Sequence, residues 1–87
     1  MIGKQYFKQH MYGPAENELR KTLPLAEGNQ DLKAEVLFLL GFANYKIENI
    51  KDALRFNQQC AAIASRFRAQ AAKNITVIKN QYRAVRQ

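Results

Sequence analysis

The chain has 87 residues, 47% of them hydrophobic, and fourteen Lys and Arg against seven Asp and Glu give it a net charge of +7. That length supports one domain with a modest core, and the apolar share is too high for a disordered chain. A single Cys excludes an internal disulfide framework, one His with one Cys excludes a zinc site of those ligands, and no apolar run approaches the ~20 residues of a membrane span.

Punctuation at Gly13-Pro14, Pro24, Gly28-Asn29, Glu48-Asn49 and around Ser65 divides a sequence of good helix formers into five segments. The predicted helices cover roughly 2–11, 14–25, 31–46, 50–63 and 66–86, with no strand pattern between them. The first opens on Met1-Ile2-Gly3-Lys4, which lacks the apolar stretch of a signal peptide. With the lone Cys, this makes the cytoplasm the default expectation, unless the chain is a fragment of an exported protein. In the second, Pro14 suits the first turn, and Pro24 should end or kink the helix near Leu23. Gly28 suits a left-handed helix exit. Asn49 is the expected cap of the fourth helix, with Asp52 in its first turn, and Ser65 the expected cap of the fifth.

The fifth segment is the clearest amphipathic helix. Phe67, Ala71, Ile75, Ile78, Tyr82 and Val85 fall in one sector, and Arg68, Lys79, Arg83 and Arg86 in a sector beside it. Residues 61–87 hold six basic residues and no acid, whereas residues 1–60 are nearly neutral. This asymmetry fits a solvated helix face and also a surface for nucleic acid or an acidic partner.

The middle of the chain reads Leu37-Phe38-Leu39-Leu40-Gly41-Phe42-Ala43-Asn44-Tyr45-Lys46, followed by Ile50, Ala53, Leu54 and Cys60-Ala61. The same spacing occurs 38 residues earlier. Ile2-Gly3, Tyr6-Phe7-Lys8, Tyr12, Ala15 and Leu19 superpose on Leu40-Gly41, Asn44-Tyr45-Lys46, Ile50, Ala53 and Asn57. These residues resemble the tetratricopeptide repeat, whose usual period is ~34 residues. The excess is expected in the Ala26–Lys33 connection.

The resemblance implies an all-α, solenoid-like single domain over 1–87. Repeat one is 1–25, short at its start; repeat two is 34–63; and 66–86 is a capping helix of the kind that closes such arrays. The short opening implies either a fragment of a longer repeat protein or an open edge that a second copy covers. Gly41 and Ala53 are expected where paired helices approach closely, and Cys60 as a small buried hydrophobe.

The family binds peptides in a concave groove lined by the first helix of each repeat. The matching positions are Lys4, Phe7 and Lys8; Glu35, Phe38, Phe42, Tyr45 and Lys46; and Gln70, Lys73, Val77, Asn80 and Gln81. Aromatic residues beside lysines suit an apolar anchor with an acidic flank. Tyr45, and to a lesser degree Phe38 and Phe42, equally suit the core. The clamp by which the family grips chaperone C-termini is absent, because Lys4, Leu39, Gln70 and Asn74 stand where Asn, Asn, Lys and Arg are expected.

No catalytic constellation is present. His10 has no evident acid or nucleophile partner, and the four glycines form no phosphate loop. The sequence therefore points to a non-catalytic interaction scaffold for a peptide or protein segment, without cofactor, metal or membrane insertion. Two rivals remain. One is nucleic-acid or acidic-partner binding through Arg68, Lys79, Arg83 and Arg86; the other is homo-oligomerisation through the short first repeat.

Overall fold

A computed structural model describes the backbone of residues 2–86 and the side chains of residues 2–81. The described chain is all-helical: α1 (Ile2–Lys8), α2 (Tyr12–Thr22), a 3-10 turn (Leu23–Ala26), α3 (Gln30–Lys46), α4 (Ile50–Ala61) and α5 (Arg68–Arg86). Each helix packs on its neighbour in sequence, and α1 also touches α3. No described helix is long and apolar enough to cross a membrane.

Helix α3 is the centre. It buries Ala34, Val36, Leu37, Leu39, Leu40, Gly41, Ala43 and Asn44, which together face several directions rather than one stripe. A helix apolar on so many sides must be surrounded, and α3 packs against α1, α2, the 3-10 turn and α4. Ala15 and Leu19 of α2, Phe56 and Cys60 of α4, and Ala71 of α5 complete the core. Leu32, Phe38, Ile63 and Phe67 close its edges.

The two hairpins, α1–α2 and α3–α4, turn in the same way. Helix α1 ends in a left-handed His10 (φ 60°) and α3 in a left-handed Glu48 (φ 65°). The His10 N–H donates to Phe7 O at 3.0 Å and the Met11 N–H to Tyr6 O at 2.9 Å. Thirty-eight residues on, the Glu48 N–H donates to Tyr45 O at 3.1 Å and the Asn49 N–H to Asn44 O at 2.8 Å. Both ends are Schellman caps, built without the glycine that this backbone prefers.

The helix crossings match as well. A Cβ added to Gly3 would lie 2.8 Å from Leu19 Cγ, and one added to Gly41 would lie 2.6 Å from Asn57 Nδ2. Leu19 and Asn57 are themselves 38 residues apart. Each glycine lets the second helix of its hairpin lie against the backbone of the first.

Several boundaries differ from those expected. Helix α1 stops at Lys8 rather than residue 11, since the cap consumes residues 9–11. Helix α2 begins at Tyr12, with Pro14 in its first turn, where no N–H is needed. Pro24 ends the α-helix as expected, and the chain continues as the 3-10 turn, whose Ala26 is fully buried. Gly28 is not left-handed, because no glycine has positive φ. The chain leaves the turn through the extended Asn29, whose Oδ1 accepts from the Leu32 N–H at 3.1 Å and caps α3. The Asn49 side chain caps no N–H, since its Nδ2 is turned to Asp52 Oδ2 at 2.8 Å. Ser65 Oγ accepts from the Phe67 N–H, and α5 starts only at Arg68.

Candidate binding face

Side-chain contacts join α1, α3 and α5 across one face. Lys4 Nζ meets Glu35 Oε2 at 3.4 Å, and the Phe7 and Phe42 rings lie 5.2 Å apart, tying α1 to α3. The Tyr45 hydroxyl donates to Gln81 Oε1 at 2.5 Å, tying α3 to α5. A second set of contacts joins α2 to α4. There Arg20 bonds Glu16 on its own helix and Asp52 Oδ2 at 3.0 Å, and its guanidinium lies 5.0 Å from the centre of the Phe56 ring. Desolvation pulls the Arg20 pKa down, but hydrogen bonds and charge from Glu16 and Asp52 outweigh it, so the group lies above its ordinary value.

Between α3 and α5 lies a cleft of about 130 Å³, lined by Gly41, Phe42, Tyr45, Asn57, Asn74, Val77 and Ile78. Its shape follows from Gly41. With no side chain there, α4 approaches closely and Asn57 forms the floor. Asn57 is only 1% exposed, so its amide needs partners. Its Nδ2 donates to Ala53 O at 2.8 Å, and its Oδ1 accepts from Asn74 Nδ2 at 3.2 Å. Asn74 Oδ1 in turn accepts from Gln70 Nε2 at 3.0 Å. Val77, half-exposed at 49%, forms the outer lip.

The expected groove residues divide between this cleft and its surroundings. Phe42 and Tyr45 line it, and Phe42 continues into an aromatic group with Phe7 and Tyr12. Lys46 Nζ sits 5.4 Å from the Phe42 ring centre. Phe38 is placed differently: its ring stacks on Phe67 at 5.1 Å and packs against the core. Lys4 is held by Glu35, which also meets Arg66 at 3.7 Å. Lys8, Lys46 and Lys73 are exposed, and among the described residues none of the three forms an ion pair.

On the basic sector, Arg68 and Lys79 are exposed. The side chains of Arg83 and Arg86, like those of Tyr82 and Val85, lie outside the described residues. His10 Nδ1 lies 2.9 Å from the Tyr12 hydroxyl, at the turn rather than in the cleft. Cys60 is fully buried with its Sγ 3.4 Å from Ala34 O, and burial pushes the thiol up to about 11. A thiol so protonated is a poor nucleophile near neutral pH.

Asn57, which forms the floor, and Asn74, its partner on α5, are not among the groove residues expected from the sequence. One signal for Asn57 was present, since a polar residue stands where the earlier segment has Leu19. Tyr12 was legible only as the partner of Ile50.

No family model matches the chain, and neither the curated proteins nor the solved structures compared with it give a match.

Proposed function

We propose that this chain is a non-catalytic module of the tetratricopeptide type, with α1–α2 and α3–α4 as its two repeats and α5 as the capping helix. It binds a peptide or protein segment on the face formed by α1, α3 and α5. The observation that carries this reading is the α3–α5 cleft, a concave and mostly apolar site whose two amide side chains, Asn57 and Asn74, already hold hydrogen-bond partners within the protein. Binding sites of this kind are concave and mostly apolar. The matching caps at His10 and Glu48 and the matching crossings at Gly3 and Gly41 support the repeat assignment. The binding mechanism is preorganisation: the helices hold the cleft open, so little ordering cost falls on the protein when a segment docks.

A pull-down with the chain as bait, run with and without nuclease, tests the proposal. Phe38→Ala is a poor control, because Phe38 stacks on Phe67 and truncation damages the core. Val77→Glu and Lys73→Glu are better, because both side chains are exposed. A protein retained by the wild type and lost by both variants is the expected result. Capture that needs nucleic acid, and that survives both variants, overturns the reading and moves function to Arg68 and Lys79.

A further inference from the structure

The chemistry of the cleft and its rim specifies what docks there. Taking the face of α1, α3 and α5 as the binding site, we infer that its ligand is a segment with one apolar anchor residue flanked by carboxylates.

The anchor follows from the state of the polar atoms. Gln70 donates to Asn74, Asn74 to Asn57, and Asn57 to Ala53 O, while the Tyr45 hydroxyl is spent on Gln81. Each of these amides and the hydroxyl thus already holds a partner inside the protein, and an apolar group entering the cleft need break none of these bonds. The walls it meets are Phe42, Tyr45, Val77 and Ile78. The volume of about 130 Å³ is close to that of an engineered apolar cavity of ~150 Å³ that takes up a benzene ring. A side chain the size of Leu, Ile or Phe therefore fits.

The flanks follow from charge. Lys46 lies on Phe42, Lys73 precedes Val77 by one helical turn, and Lys8 follows Phe7, which packs on Phe42. All three lysines are exposed. Apart from Glu48, which is exposed in the turn two residues after Lys46, opposing charge is remote or already matched. Glu35 is bound by Lys4 and Arg66, and α5 contains no acid. Glu16 and Asp52 face Arg20, while Glu18 pairs with Lys21 and Glu27 with Lys33. Asp31 is eleven residues before Phe42, about 16 Å along the helix. A carboxylate on either side of the anchor thus meets a lysine, which speeds encounter and rejects basic segments.

The experiment is panning of a phage-displayed random peptide library on the full chain. Enriched peptides are then synthesised with a fluorescent label and titrated by polarisation, and circular dichroism confirms that each variant folds. The expected peptides are acidic around a shared apolar residue. Replacing that residue by Ala weakens binding about tenfold or more. Val77→Glu abolishes binding, and Lys46→Glu with Lys73→Glu weakens it several-fold and flattens its dependence on salt. Enriched peptides that are neutral or basic, yet still lost with Val77→Glu, overturn the ligand chemistry and leave the face intact. Peptides indifferent to Val77→Glu, or no enrichment at all, overturn both. A single-stranded oligonucleotide that displaces the peptides and is itself released by Lys79→Glu overturns the inference in favour of a nucleic acid.

Discussion

The two hairpins share a turn and a crossing, but they place different residues at the crossing, and that difference separates a crossing that only packs from one that floors a cleft. In α1–α2 the residue beneath the glycine is Leu19, fully buried in the core cluster. In α3–α4 it is Asn57, equally buried but hydrogen-bonded to Asn74 of α5. The first crossing simply packs. The second forms the floor of a cleft. One backbone geometry can thus carry either chemistry, provided that a buried amide finds partners.

Exchanging the two residues tests this directly. Leu19→Asn is expected to have the largest effect, a loss of about 3 kcal/mol or more in denaturant unfolding. The apolar burial is forfeited and no counterpart of Asn74 satisfies the amide oxygen. Gly41→Ala should cost about 1–3 kcal/mol by the same measurement. Its Cβ meets an Asn57 side chain pinned from both sides. Asn57→Leu, which makes the second crossing resemble the first, should cost less than about 1.5 kcal/mol. If Asn57→Leu proves as damaging as Leu19→Asn, the two positions are not equivalent.

The caps give a smaller effect of opposite sign. His10→Gly and Glu48→Gly should each raise stability by up to about 1 kcal/mol, because glycine occupies φ near 60° without strain. Equal gains would show that the turns are equivalent in energy as well as in geometry.

A pH scan distinguishes the hairpins in another way. Cys60 occupies the position of Thr22, 38 residues earlier. Its thiol is raised in the folded chain to about 11, against an ordinary value of 9.0. Its contribution is fully present below the unfolded value and is lost as pH rises from about 9 towards 11, where the unfolded chain ionises first. Thermal melts should therefore fall over that window in the wild type and less in Cys60→Ala.

Much of this was legible in residue order. The five segments, the break at Pro24 and the match between residues 2–19 and 40–57 follow from spacing and residue type, and the burial of Cys60, Gly41 and Ala53 is what the repeat resemblance implies. The caps were not, because His10 and Glu48 stand where a glycine would signal a left-handed exit. In residue order Asn29 belongs to a break, and only the structure shows it as a cap, since Asn serves either purpose. Phe38 and Phe42 are one turn apart and look alike in sequence. Only packing separates them: Phe67, brought in by the six-residue link before α5, stacks on Phe38 and leaves Phe42 to the cleft.

The sequence by itself determined that the chain is helical and where it bends. Helix propensity and proline act over a few turns and need no distant partner. Only the tertiary structure decided which residues form the cleft. Its walls come from α3 and α5 and its floor from α4, and whether Asn57 is a buried liability or a satisfied floor depends on Asn74, seventeen residues away. That pairing exists only once α5 has docked, so no local pattern encodes it.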